Sequence, residues 1–205
     1  MVKRRLLAAV LGLVMASTVA CSSEPDSTGP LPDGAALLRD AAETSKGITS
    51  THFSLVVTGM LKAIPVQSIE GDLTKDGGPG GAAKGTFQNM GDASRIYDPS
   101  TILDPDRGLA KLISAVAAPK TEGRETVNEV SALRVAGTVS KDVVAGIVPG
   151  VTADVEVKLW LREDNGHLPV RLWLQVPPET QGAGPTSVEV NLSDVGKPVT
   201  VAPPV

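Results

Sequence analysis

Hydrophobic and polar residues alternate most clearly in two segments near the C-terminal end of the chain. Because successive side chains of a β-strand point to opposite faces, this period of two predicts a pair of strands. The dipeptide Asn165-Gly166 lies between the segments and is typical of a tight hairpin turn. The positions predicted to form one aliphatic face are Val155, Val157, Leu159, Leu161, Leu168, Val170, Leu172, Leu174 and Val176.

The polar face of this predicted hairpin carries both tryptophans of the chain. A two-residue turn would place Trp160 opposite Arg171, and Trp173 opposite Lys158. Stacking of each cation on its facing indole would contribute up to about 1 kcal/mol. The hairpin is therefore predicted to have one wholly aliphatic face and one face of paired aromatic and charged residues.

Similar patterns predict the remaining elements. Alternation predicts further strands, and apolar residues at helical spacing predict three helices, one capped by Asp33 and ended by Gly47. Asp104-Pro105 resembles the start of the second helix, and Ser140 resembles the cap of the third. The glycine-rich segment 76–85 is interpreted as a flexible linker. The other predicted strands cover residues 52–59, 66–74, 133–139 and 188–192.

These elements predict an α+β domain in which amphipathic helices cover the aliphatic face of a largely antiparallel sheet. The chain of 205 residues is long enough for one domain with a sizeable core. Its net charge of −4 and its aromatic content of 2% exclude the basic footprint and the stacking platforms of a nucleic-acid-binding protein. The single cysteine excludes an intramolecular disulfide.

The first twenty residues have the layout of a secretory signal peptide. Three basic residues at positions 3–5 precede an apolar run over positions 6–15, and small residues follow up to position 20. The tripeptide Thr18-Val19-Ala20 before Cys21 resembles the bacterial lipobox, in which the cysteine receives a diacylglycerol and, after cleavage, a third acyl chain. The alternative is an ordinary secreted protein with an unpaired thiol.

A cysteine with two or three acyl chains is a far more stable anchor than a single chain. The sequence thus predicts a signal peptide at 1–20, a flexible acylated spacer at 21–32 and a folded domain at 33–205. Cys21 would hold the mature protein on the extracytoplasmic side of the cell membrane.

The patterns that commonly carry catalysis or bind metals are missing from the sequence. It contains no Gly-x-Ser-x-Gly nucleophile elbow. His52 and His167 each lack a second histidine at ligand spacing, so we predict no metal site and interpret both as solvated surface residues. Ala115 stands where the calcium loop suggested by Asp104 and Asp106 would need a glutamate. We predict no enzyme activity and no cofactor.

What remains is an aliphatic sheet face that can either close on its helices or leave a cavity of lipid size. The pattern alone favours a closed core, since amphipathic elements normally pack on one another. A cavity would suit acyl chains, because aliphatic walls demand no hydrogen bonds. The candidate cavity residues are Leu55, Val57, Leu109, Leu112, Ile113, Val116, Val135, Leu159, Leu161, Leu172, Leu174, Val188 and Val190.

Several segments, taken together and in order, resemble the mycobacterial LppX/LprA/LprF/LprG lipoproteins. The resemblance implies a curved antiparallel half-barrel with helices on its concave face, enclosing a large hydrophobic cavity. It further implies binding of acylated lipids or glycolipids, and their transfer toward the outer cell envelope with an envelope transport partner and without catalysis. The segments are 29–32, 71–74, 96–99, 103–110, 122–126, 135–139 and 192–199.

The chain departs from the family pattern between Thr74 and Ile96, where it has only 21 residues. Since family members usually place further strands there, part of the sheet and one cavity wall are expected to be missing. An alternative hypothesis is a scaffold or sensor-partner lipoprotein with a closed core. Its contact site would be an aromatic patch around Trp160 and Trp173.

Overall fold

In the computed structural model, the described part of the chain forms eight strands of a single antiparallel sheet, in the order β3-β2-β1-β8-β7-β6-β5-β4. The structure describes residues 29–60, 66–76, 82–89, 99–148, 150–164, 166–178 and 184–199. The sheet is curved and unclosed, with β3 and β4 at its edges. The strands are β1 (Ser50–Thr58), β2 (Val66–Thr74), β3 (Ala82–Asn89), β4 (Ala117–Val127), β5 (Val130–Val139), β6 (Val155–Arg162), β7 (Pro169–Val176) and β8 (Thr186–Ser193).

Within the described residues, three helices lie on the concave side of the sheet, so the predicted α+β class and half-barrel are confirmed. They are α1 (Gly34–Lys46), α2 (Leu109–Ser114) and α3 (Lys141–Val144), and a 3-10 helix covers Pro99–Leu103. As predicted, Asp33 caps α1, because its carboxylate accepts a hydrogen bond from Ala36 N at 2.8 Å. The buried stripe of α1 includes the predicted Leu37, Leu38, Ala41 and Ala42.

The prediction that Asp104 caps the second helix is wrong. Its carboxylate accepts hydrogen bonds from the backbone N–H groups of Asp106 and Arg107, at 2.9 and 3.1 Å. It therefore stabilises the turn before α2, whose N-cap position is Gly108. The Asp104 carboxylate also accepts a hydrogen bond from the Arg107 side chain. This hydrogen bond is the main reason that the pKa of Asp104 lies below its ordinary value.

Two strands differ from the sequence analysis. Residues 82–85 belong to β3, which pairs with β2 from Ala82 to Asn89, so the linker interpretation is wrong there. Residues 77–81 lie outside the described part of the chain. β4 was not predicted, because its sequence is mostly polar and does not alternate. An edge strand with two register shifts needs no aliphatic face of its own.

The predicted register of the β6–β7 hairpin is confirmed. Val157 faces Leu174, and Trp160 faces Arg171. β6 ends at Arg162 and β7 begins at Pro169, so the strands stop short of the predicted turn. Between them, His167 N donates to the Asp164 carbonyl at 3.2 Å, which is the hydrogen bond expected of a two-residue turn at positions 165–166. Asn165 lies outside the described residues.

A register shift follows Trp160, so that Leu161 pairs with Pro169 rather than with Val170. An extra residue in one strand places the neighbouring side chain on the opposite face of the sheet. Val170 therefore leaves the predicted aliphatic face and packs with Trp160 on the other side of the sheet.

Candidate functional site

The candidate site is the aliphatic interior between the sheet and the helices, which we call the inner cluster. One row of it crosses six strands, with each residue paired to the next across the ladder. No charged or polar side chain interrupts this row. Its members are Val135, Leu159, Leu172, Val190, Leu55 and Ile69.

The structure brings all thirteen candidate residues into the inner cluster or against it. Twelve are buried members, and Val116 is a partly buried residue packed against them. The helices close the cluster from the other side, because Leu38 of α1 and Leu112 of α2 belong to it as well. The buried candidates are Leu55, Val57, Leu109, Leu112, Ile113, Val135, Leu159, Leu161, Leu172, Leu174, Val188 and Val190.

Within this set the packing is uneven. Six candidates have an exposed fraction of 0%, so they touch no space that admits a water molecule: Leu112, Ile113, Val135, Leu159, Leu161 and Leu174. On β1 and β8, Val57 and Val190 retain exposed fractions of 8% and 4%. These six residues are thus sealed from solvent, whereas Val57 on β1 is the most exposed of the twelve buried candidates.

Several inner-cluster residues were not among the candidates predicted from the sequence. Phe53 shares the face of Leu55 on β1, and Ile69 and Leu73 occupy the same face of β2. Their alternation was visible in the sequence and could have placed them in the candidate set. Ile102 and Leu103 come from the 3-10 helix, for which no periodic signal exists.

The opposite face of the sheet carries a smaller outer cluster, made of Val127, Ala132, Trp160 and Val170 with Val130 and Trp173 packed against it. The predicted cation–π pairs are present. Lys158 Nζ lies 5.6 Å from the Trp173 ring centre, and the Arg171 guanidinium lies 5.5 Å from that of Trp160.

Hydrogen bonds tie the outer cluster into a polar network. The indole N–H of Trp160 donates to Glu125 Oε2 at 2.9 Å. Arg134 binds the other oxygen of Glu125 and also Glu122 at 2.8 Å. Trp160 is only 8% exposed. The aromatic patch required by the scaffold hypothesis is therefore largely occupied by contacts within the protein.

His52 lies on the same outer face, half-buried rather than freely solvated as predicted. Its Nδ1 lies 2.9 Å from the Asp72 carboxylate, and its Nε2 lies 3.5 Å from Glu70. The hydrogen bond to Asp72 is the largest cause that raises the pKa of His52 above its ordinary value. Among the described residues, no group of three or more His, Cys, Asp and Glu side chains is placed to hold a metal ion.

Comparison with known proteins agrees with this architecture. A profile of the LppX_LprAFG lipoprotein family matches residues 33–88 and 81–201, which is most of the chain. The chain belongs to this family. The resemblance inferred from the sequence is thereby confirmed.

Relatives within the LppX_LprAFG family include proteins named lipoarabinomannan carrier protein LprG. The protein from Mycolicibacterium smegmatis is 37% identical over 232 residues, covering 97% of this chain and 94% of the relative. The one from Mycobacteroides abscessus is 34% identical over 225 residues, covering 97% and 96%.

Two solved structures of the LppX_LprAFG family share the fold. LprF from Mycobacterium bovis has a TM-score of 0.66 and 25% identity, over 85% of this chain and 98% of its own. LppX from Mycobacterium tuberculosis has a TM-score of 0.59 and 21% identity, over 82% and 97%.

The comparisons also bear on the internal shortening. The alignment with LprG from Mycobacteroides abscessus has 225 positions and covers 97% of this 205-residue chain, or about 199 residues. About 26 positions of that relative therefore have no counterpart in this chain. The two segments matched by the family profile overlap at 81–88, within the predicted interval between Thr74 and Ile96. The chain nevertheless has β3 in that interval, so the sheet keeps an edge strand there.

Among the described residues of this LppX_LprAFG protein, no helix is long and apolar enough to cross a membrane. Cys21 and the predicted signal peptide lie outside the described residues. The predicted spacer is described only at its end, where Thr121 Oγ1 donates to the Pro32 carbonyl at 2.7 Å.

Proposed function

We propose that this protein is a lipoprotein that binds acylated lipids or glycolipids in its inner cluster and carries them toward the outer cell envelope. The observation that carries this proposal is the uninterrupted aliphatic row across six strands, which offers acyl chains a surface without polar groups. The names of its relatives, lipoarabinomannan carriers, support a glycolipid as cargo. No catalytic step is part of the proposal.

The affinity would come from removing acyl chains from water. Each buried methylene contributes about 0.8 kcal/mol, so one or two chains of ordinary length supply enough free energy for stable loading. The headgroup would stay at the surface of the domain, where it keeps its hydration. That the thirteen candidate residues contact the lipid stays a prediction.

Loading requires space that the present conformation fills. Leu112 and Ile113 of α2 have no exposed surface, whereas Val57 and Val190 keep some. We therefore expect acyl chains to enter along β1 and β8 first and to displace α2 from the sheet. A helix of six residues that buries only one face can move without unfolding the sheet.

The anchor in this proposal is Cys21, acylated after cleavage of residues 1–20. It would hold the carrier on the extracytoplasmic side of the cell membrane. Because the carrier stays attached, release to the outer envelope would need an acceptor in the envelope, which is the transport partner implied by the family resemblance.

The proposal is tested by native mass spectrometry of the C21S variant purified from an actinobacterial host, combined with uptake of a fluorescent fatty acid. We expect co-purified lipid and saturable uptake. A protein that is free of lipid and takes up no fatty acid would overturn the proposal.

Two neighbouring residues on β1 give a matched pair of variants. Val57 points into the inner cluster and Val56 is 44% exposed on the outer face. Val57→Trp should add bulk to the interior beside β1 and lower lipid uptake several-fold, whereas Val56→Trp should leave uptake unchanged. Circular dichroism of both variants checks that the fold is kept. Equal uptake by two folded variants would place the lipid elsewhere.

A further inference from the structure

The N-terminal segment is fastened to the domain by one arginine. Arg124 donates from Nη1 to the Gly29 carbonyl at 2.9 Å and from Nη2 to the Pro30 carbonyl at 3.3 Å. Its Nε donates to Glu163 at 2.7 Å, so each of the three guanidinium nitrogens makes a hydrogen bond. We call this arrangement the Arg124 clamp.

The clamp is itself held in place. The Ser131 hydroxyl donates to the second oxygen of Glu163, and this hydrogen bond is the largest cause that keeps the pKa of Glu163 below its ordinary value. The carboxylate thus stays charged and fixes the fork of Arg124. The Arg124 side chain is 20% exposed, which fits a positioning role rather than a solvated surface charge.

The clamp sets the direction in which the anchor leaves the domain. From Pro32 beside Thr121 to Gly29 beside Arg124, the segment runs toward the C-terminal end of β4. Cys21 precedes Gly29 by only eight positions. Eight residues span at most about 28 Å. An acylated Cys21 therefore keeps this end of the domain close to the bilayer.

A groove of about 380 Å³ opens at the same end. It lies between the β4–β5 turn, the β6–β7 loop and the residues that follow β8. It joins the two faces of the sheet, since its apolar lining comes from the outer cluster on one side and from inner-cluster residues on the other. The apolar lining consists of Val127, Val130, Val170, Leu168, Leu192 and Val195.

The charges on the rim of the groove are satisfied within the protein. Arg162 binds Asp164 at 2.7 Å, and Asp194 binds Lys197 at 2.7 Å. A charged small molecule would find no free partner in these two pairs. The lining and the size, at the low end of the usual range of about 300–1,000 Å³, fit one hydrocarbon chain better than a whole diacyl lipid.

We propose that the Arg124 clamp turns this groove toward the membrane, and that the groove is the portal through which the acyl chain of a bilayer lipid enters the inner cluster. The proposal rests on the proposed lipid-carrier function. The portal continues into the interior along β8, where Leu192 leads to Val190.

Orientation is tested on full-length acylated protein in liposomes. Thr126 on β4 and Thr138 on β5 are both exposed, and they lie at opposite ends of this pair of strands. Because Thr126 pairs with Ser131, seven residues before Thr138, the two sites are about 23 Å apart. Fluorophores on T126C and T138C are exposed to lipids with nitroxide headgroups.

We expect several-fold stronger quenching at position 126 than at position 138, and loss of this difference when R124A is added. R39A is the control, because Arg39 is a largely exposed arginine on α1 that pairs only with Asp40 in the described structure. Equal quenching at the two positions in protein that keeps Arg124 would overturn the proposed orientation of the domain on the membrane, whether or not the protein binds lipid.

The portal is tested with one substitution at two places on β8. Ser193 lines the groove and Ser187 lies near the other end of the strand, on the same face. We expect Ser193→Trp to slow lipid uptake from vesicles several-fold while the final loading stays at the wild-type level. Ser187→Trp should change neither.

Equal uptake rates of the two folded variants would overturn the portal. Loss of final loading in Ser193→Trp alone would also overturn it, because the groove would then be a holding site. If wild-type protein loads no lipid at all, the proposed function fails and the orientation test still stands by itself.

Discussion

In the middle of the sheet, one row of residues crosses the strands on the inner face and a second row crosses them on the outer face. The inner row contains only aliphatic residues: Val135, Leu159, Leu172, Val190, Leu55 and Ile69. The outer row, one position away on each strand, is Arg134, Trp160, Arg171, Asn191, Ser54 and Glu70.

The two rows stabilise the same strands in different ways. The inner row contributes through burial of apolar surface, which is non-directional and survives rearrangement of the partners. The outer row contributes through stacking, ion pairs and hydrogen bonds, which demand fixed geometry. A carrier needs this division, because the outer face can hold the curvature of the sheet while the inner face exchanges helix contacts for acyl chains.

The largest effect is expected from truncation on the inner face. Leu159 has no exposed surface, so Leu159→Ala should lower the free energy of unfolding by about 2–5 kcal/mol. Lys158→Ala, the neighbouring position on the outer face, should cost less than about 1 kcal/mol through loss of the Trp173 contact. Urea denaturation measures both. A cost below that of Lys158→Ala would show that the interior around Leu159 is not packed.

A smaller effect distinguishes the two tryptophans of the outer face. Trp160→Phe keeps a ring for Arg171 but removes the indole donor to Glu125, a hydrogen bond to a charged acceptor, and should cost about 1–2 kcal/mol. Trp173→Phe is the control, since its ring stacks under Lys158. Equal losses for both variants would mean that the Trp160–Glu125 hydrogen bond adds nothing.

The smallest effect is expected at His52. Since Asp72 raises the pKa of this imidazole, the folded state binds the proton more tightly than the unfolded state. The stabilisation is complete below the ordinary pKa of 6.5 and is lost as the pH rises through the raised pKa. His52→Gln should therefore destabilise the protein more at about pH 5 than at about pH 8, by about 0.2–1 kcal/mol. A pH-independent difference would contradict the assignment.

The contrast between the faces also explains what the sequence could predict. Strict alternation on β6 and β7, together with the turn placed at Asn165-Gly166, predicted the register and both cation–π pairs. Val170 was placed on the wrong face, because a register shift leaves no mark in a pattern of hydrophobic residues. β4 was missed because it is a polar edge strand, although it carries Glu125 and Arg124.

For the candidate site, the sequence predicted which residues gather but not how closely they pack. The sequence predicts both Val57 and Leu161 as inward-facing apolar residues, yet only Val57 keeps exposed surface. The position of α2 over this interior depends on contacts with α1, which no periodic pattern in the sequence predicts. The clamp on residues 29–32 was not predicted either, since Arg124 carries no motif.

Lipid binding in the inner cluster is tested most directly by photo-crosslinking with a lipid that carries a diazirine in its acyl chain, followed by mapping of the modified residues. We expect modification on the inner face, with Leu55, Val57, Val188 and Val190 modified before Leu112 and Ile113. Modification confined to the outer face around Trp160 and Trp173, or no modification of folded protein, would contradict it.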